Sequence, residues 1–153
     1  MPIVERNALV PYTCAEMFDL VNNFESYPEF LPWCASGELH SSENGQLSAS
    51  LGIQKGLIKD SFTTSNTNDR PWTIQMQLLD GPFKRLRGQW SFDPLGKAPL
   101  GQEAGCKVGL YMDFQFKHGI ANLLSRTLQN DISDMMDAFV HRAEHIYGPR
   151  SLD

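Results

Sequence analysis

The feature that most constrains the fold is a run of two-residue alternation. Val108, Leu110, Met112, Phe114 and Phe116 alternate with Gly109, Tyr111, Asp113, Gln115 and Lys117. Period two sends successive side chains to opposite faces of a strand, so one face is apolar and the other mostly wet. Trp72, Ile74, Met76 and Leu78 repeat the pattern against Thr73, Gln75 and Gln77. Leu86, Trp90 and Phe92 share a parity on a further strand, as do Ile58 and Phe62 on an earlier one. Turn signals separate these runs at Glu43-Asn44-Gly45, Lys55-Gly56, Asn68-Asp69-Arg70-Pro71, Asp80-Gly81-Pro82 and Asp93-Pro94. The pattern predicts about six antiparallel strands between Trp33 and Lys117, with Pro94 to Gly105 as a long hairpin loop. One broad aromatic face must then be covered.

The last third supplies the cover. From Gly119 to Tyr147, Ile120, Leu123, Leu124, Leu128, Ile132, Met135, Met136, Phe139, Val140, Ala143, Ile146 and Tyr147 recur at helical spacing. A helix of about 29 residues is roughly 43 Å long, enough to cross a sheet, and Gly148-Pro149 stops it. At the other end, Ile3 to Val10 reads as a strand that Pro11 ends. Thr13 and Glu16 then form a capping box for a helix whose stripe is Met17, Phe18, Leu20 and Val21. Between Phe24 and Cys34 the prolines Pro28 and Pro32 forbid a long helix, which leaves a short helix or a structured loop. The order is strand, helix, short helix, strands, long helix. It predicts an α+β domain with its helices on one sheet face, one domain over residues 1–153.

Composition narrows the function. Thirteen Lys and Arg against eighteen Asp and Glu give a net charge of −5, so no global positive field gathers nucleic acid and no DNA partner is expected. No apolar stretch approaches the roughly 20 residues needed to span a bilayer, and the N-terminus has no basic region followed by an apolar one, so a cytoplasmic location is expected. Cys14, Cys34 and Cys106 are far apart, odd in number and without C-x-x-C spacing. They read as reduced thiols that pack as small hydrophobes.

Motifs for catalysis are weak. His141-Arg142-Ala143-Glu144-His145 matches the H-x-x-E-H pattern of a zinc protease family, but at about 100° per residue both histidines fall opposite Val140, Ala143, Ile146 and Tyr147. They belong to a solvated face. His40 and His118 stand alone, and Asp131 and Asp134 are solvating charges on the polar side of the long helix. Nucleophile-elbow, phosphate-loop and dinucleotide signatures are absent from the sequence, so neither enzymatic activity, a metal nor a required cofactor is expected. Lys84, Arg85 and Arg87 form the one basic grouping; the two arginines have the parity opposite to Leu86 and Trp90 and should face outward, where they could touch RNA or an anionic membrane.

The aromatic face allows more than core filling. A straight helix over a strongly curved sheet leaves space between the two, and Met76, Met112, Met135 and Met136 would give it an adaptable, greasy lining. A neutral apolar guest is the natural occupant. Asp60 shares the parity of Ile58 and Phe62, so it should point inward toward a headgroup unless a β-bulge turns it to solvent.

The run Ser26-Tyr27-Pro28-Glu29-Phe30-Leu31-Pro32-Trp33-Cys34, followed by Leu79-Asp80-Gly81-Pro82-Phe83-Lys84-Arg85-Leu86 with Trp90, resembles the RatA and ubiquinone-binding branch of the START-like (polyketide cyclase/lipid transport) superfamily. Ala8-Leu9-Val10-Pro11-Tyr12 and Leu110-Tyr111-Met112-Asp113-Phe114-Gln115-Phe116 extend the likeness over essentially the whole chain. The resemblance implies a helix-grip fold, in which a curved antiparallel sheet wraps a long C-terminal helix around an apolar tunnel. On this chain the tunnel would be lined by Phe62, Met76, Leu78, Leu86, Trp90, Phe114, Leu124, Met135 and Phe139. Tyr27, Phe30, Leu31 and Trp33 would form its mouth, since aromatics and prolines suit a membrane interface. Two functions of different classes are implied. One is binding and delivery of ubiquinone or a similar isoprenoid lipid in support of respiration, with transient contact at the inner membrane. The other is association with the large ribosomal subunit, blocking subunit joining.

Overall fold

In a computed structural model, residues 3–55, 58–96, 105–117 and 122–151 are described, with side chains for all of these except 55, 58 and 122–128. Strand β1 (Ile3–Val10) leads to helix α1 (Cys14–Asn22) and a 3-10 helix (Phe24–Glu29). Six strands follow: β2 (Cys34–Glu43), β3 (Gln46–Lys55), β4 (Ile58–Asp69), β5 (Thr73–Asp80), β6 (Phe83–Leu95) and β7 (Gly105–Phe116). Helix α2 (Asn122–Tyr147) closes the chain. The expected start of the long helix at Gly119, and most of the loop between β6 and β7, lie outside the described residues. No helix among the described residues is long and apolar enough to cross a membrane.

All seven strands form one antiparallel sheet in the order β1-β7-β6-β5-β4-β3-β2. Its inner face carries the core. Leu51 lies opposite Phe62, Ala49 opposite Thr64 and Leu47 opposite Asn66. The line continues from Asn66 to Met76, Gly88 and Met112. Gly88 has no room for a side chain there, because a Cβ would stand 2.8 Å from the Tyr111 carbonyl oxygen and 2.7 Å from the Met112 sulfur. The outer face follows the alternate residues: Gln46, Thr67, Gln75, Gln89, Tyr111 and Glu5 form one row across six strands. Trp72, read from alternation as part of the apolar face, instead precedes β5 in a turn and is 42% exposed.

The helices are fastened by polar contacts at one end. The Thr13 hydroxyl accepts from the Glu16 N–H at 3.1 Å and the Glu16 carboxylate accepts from the Thr13 N–H at 2.9 Å, a capping box worth about 1 kcal/mol. Arg150 makes paired hydrogen bonds to the same carboxylate at 2.6 and 2.9 Å. Those bonds, ahead of the opposing effect of burial, hold the Glu16 carboxyl below its usual range. Tyr147 donates to the Glu16 carbonyl and Tyr12 to the Gly148 carbonyl, so the end of α2 is tied to the start of α1. Along its length α2 is further held by Arg6, which donates to the Ser133 carbonyl at 2.7 Å and to Asp137 at 3.0 Å. All three cysteines are buried. The Cys14 and Cys106 sulfurs touch at 3.3 Å, and Cys34 donates to the Ser36 carbonyl.

Candidate functional site: an apolar cavity beneath the long helix

The prolines of the Ser26–Cys34 run determine its shape. The 3-10 helix turns Phe24 and Tyr27 inward, and Leu31 and Trp33 follow them, so that Tyr27, Leu31 and Trp33 are only 4%, 2% and 6% exposed. The Tyr27 ring meets Phe139 at 5.3 Å, and Phe139 meets Trp90 at 5.2 Å, both edge to face. The Tyr27 hydroxyl donates to the Val21 carbonyl, and its complete burial pushes its pKa far up. This corrects the expectation that Tyr27, Phe30, Leu31 and Trp33 form an open mouth at a membrane. Each of the buried rings takes a large apolar area out of water, and the segment is a wall of the interior. Phe30 alone of the four is half-buried, with the Arg142 guanidinium 5.0 Å above its ring.

Behind that wall lies a cavity of about 60 Å³. It is bounded by Phe24, Tyr27 and Trp33, by Ala49, Leu51, Phe62, Thr64, Met76, Phe83, Leu86, Trp90 and Met112 of the sheet, and by Ile132 and Met135 of α2. Among the expected tunnel residues, Phe62, Met76, Leu86, Trp90 and Met135 are on its surface. Phe114 and Phe139 are not: both are fully buried and pack behind it, Phe114 against Phe83 and Phe116, Phe139 against Tyr27, Phe30 and Trp90. Leu78 is half-buried on the core but off the cavity, and the Leu124 side chain lies outside the described residues. Asp60 has the inner-face register, opposite Ile53, yet it is exposed and its carboxylate accepts from the Ser61 N–H. Its alternation is right, but it stands at the strand end beyond the cavity.

Alternation overlooked one wall residue for a physical reason. A register shift between Phe83 and Arg85 inserts an extra residue opposite β7, and such a bulge reverses the side-chain parity. Phe83 and Leu86, three apart, therefore both face inward. Phe24, Ala49, Leu51, Thr64 and Ile132 were also missed, while Met112 was foreseen only as part of a methionine lining.

The cavity is far smaller than the roughly 300 to 1,000 Å³ of pockets that enclose drug-sized ligands. It has the room of a few waters but a wall poorly suited to them, since among the described residues Thr64 is the sole wall residue with a hydroxyl apart from Tyr27, whose own hydroxyl is engaged. Met76, Met112 and Met135 are the adjustable part of the wall, because an unbranched thioether changes rotamer at little cost.

The outer face offers a different surface. Gln46, Thr67, Gln75, Gln77, Gln89 and Tyr111 border an open trough of about 650 Å³, with Arg87 at one side. Arg85 donates to Asp113 at 2.9 Å, and Arg87 stands 3.7 Å from the other Asp113 oxygen. The hydrogen bond from Arg85 holds the Asp113 carboxyl below its usual range. The expected basic patch is thus partly neutralised by a carboxylate between its arginines, with Lys84 exposed beside it. His141 and His145 are exposed on α2, and no cluster of metal-binding side chains occurs among the described residues.

Known proteins sharpen the picture. Over 151 residues the chain is 39% identical to the ribosome association toxin RatA of Escherichia coli, covering 98% of this chain and 92% of that one. It is 26% identical to a mitochondrial coenzyme Q-binding protein of Dictyostelium discoideum, over 90% of this chain and 66% of that one. The crystal structure of the Zhui aromatase/cyclase from Streptomyces superposes with a TM-score of 0.77 at 15% identity, covering 93% of each chain; at that identity the likeness is one of fold. The family model described as polyketide cyclase / dehydrase and lipid transport matches residues 10–140. A seven-stranded sheet gripping a C-terminal helix, and a match over most of the sequence, establish that the chain belongs to this START-like family.

Proposed function

We propose that this protein is a non-catalytic, cytoplasmic binding protein that associates with the ribosome, acting on the large subunit to hinder subunit joining. The observation that carries this reading is 39% identity over nearly the full length of two chains, one of which is named for ribosome association. The outer trough and the exposed Lys84 and Arg87 are the surface suited to it, since hydroxyls, amides and a Tyr ring match the sugar edges and bases of RNA. The test is sucrose-gradient sedimentation of purified subunits with and without the protein. Co-migration with the large subunit and a reduced joined peak are expected; an undisturbed joined peak with the protein at the top of the gradient refutes the reading.

A second reading has its own support. The apolar cavity, its methionines and the likeness to a coenzyme Q-binding protein favour a hydrophobic ligand of quinone type inside the fold. At about 60 Å³ the cavity must widen to admit a ring, by rotation of Met76, Met112 and Met135. Contact with the inner membrane would be a step of loading rather than a permanent address. Organic extraction of protein purified from its native cells, followed by mass spectrometry, tests it: a stoichiometric quinone supports the carrier role, and a lipid-free protein counts against it.

A further inference from the structure

Asn66 lies in the C-terminal half of β4, on the inner face of the sheet, with no exposed surface. Its carboxamide oxygen accepts from the Thr64 hydroxyl at 2.8 Å. Its nitrogen, Nδ2, is buried and has no hydrogen-bond partner among the described residues. Thr64 is on the cavity wall, and Met76, directly opposite Asn66 in the register, is on it too. The amide therefore stands one hydrogen bond behind the wall, screened by a side chain that changes rotamer easily.

Buried polar groups are nearly always satisfied, and a core needing only shape would place Leu or Val at this position. We infer that Asn66, with Thr64 fixing its orientation, is the headgroup reader of the cavity, and that the ligand is an apolar molecule bearing a neutral carbonyl oxygen that accepts from Nδ2. The class follows from what surrounds it. A hydrocarbon leaves the donor unmatched. An anionic headgroup meets no Lys or Arg among the described residues that line the cavity. The inference rests on the hydrophobic-ligand reading above and adds the chemistry by which the guest is chosen.

Tetramethylbenzoquinone and tetramethylbenzene differ only in the two carbonyls, and both suit a nuclear magnetic resonance titration of the full chain. Carbon-13 methyl signals of Met76, Met112 and Met135 report filling of the cavity by either compound. The side-chain amide signals of Asn66 report the hydrogen bond. Expected are methionine shifts with both compounds, an Asn66 amide shift with the quinone alone, and quinone binding about five- to tenfold tighter. In Asn66→Leu the quinone advantage should vanish while tetramethylbenzene still binds. Thr64→Val, which frees the amide to rotate, should lower the advantage in part and keeps the test open if the leucine variant does not fold. Equal binding of the two compounds by the wild type, or a quinone preference that survives Asn66→Leu, overturns the headgroup role and leaves the cavity reading standing. Methionine signals that move with neither compound overturn the ligand reading itself, and this inference with it.

Discussion

The two faces of one sheet make the instructive comparison. They are built from the same strands, residue by alternate residue, yet the inner face is a mass of interlocked aromatics and the outer face a field of amides and hydroxyls with few charges. Trp90 and Gln89 are neighbours in sequence; one is 2% exposed against Phe139, the other borders an open trough. The difference teaches that an internal ligand and an external macromolecular partner need not compete for the same side chains. Each reading of function can be broken without touching the other.

The largest contrast is in stability. Phe139→Ala removes the ring shared by Tyr27, Phe30 and Trp90 and should cost about 3 to 5 kcal/mol, whereas Gln75→Ala should fall within about 0.5 kcal/mol of the wild type. Urea unfolding measures both, and comparable losses would show that the outer face is structural. Next comes a change that fills the cavity. Ala49→Leu, projecting from β3 into the space, should reduce uptake of tetramethylbenzene more than tenfold at a cost of about 1 to 3 kcal/mol from crowding; unchanged uptake would place the ligand elsewhere.

The third change addresses the outer face alone. Lys84→Glu combined with Arg87→Glu reverses two exposed charges while keeping Arg85, the closer partner of Asp113. Sedimentation with the large subunit should weaken, most at low salt, while the Met76 and Met135 signals with tetramethylbenzene stay as in the wild type. The smallest effect concerns pH. Because Arg150 holds the Glu16 carboxyl below its usual value of 4.5, the folded state gains stability from it above that value. The gain is lost as pH falls through the depressed one. Arg150→Met should therefore lower the melting temperature near pH 7, and its deficit should shrink below about pH 4.

Much of this architecture was legible because period-two and period-3.6 patterns report burial directly. β7, α2 and the Thr13–Glu16 capping box follow from residue order alone. Local departures from period did not. The bulge that turns Phe83 inward has no mark in the sequence; the prolines after Phe24 announce a short helix or loop, but not that it carries Tyr27 and Trp33 to the interior. Distances across the chain are equally hidden: Cys14 and Cys106, 92 positions apart, touch without any motif to announce it. The lining of the cavity was half legible, since a row of apolar residues predicts the face, but packing decides which of them border a space. Phe114 and Phe62 share a face and differ in this respect.

Strand β2 has a consequence of another kind. It forms one edge of the open sheet, and Gly37 lets the backbone of the 3-10 helix lie flush against it, since a Cβ there would stand 1.9 Å from the Phe24 carbonyl oxygen. The register slips on either side of it, at Cys34/Ser36 and at Leu39/Ser41, and Glu38, His40 and Glu43 are exposed. A straight, bare edge would be a template on which further chains add strand by strand; one that is half covered, twice kinked and charged makes a poor seed. The fold can thus keep an unclosed sheet with little risk of edge-to-edge association.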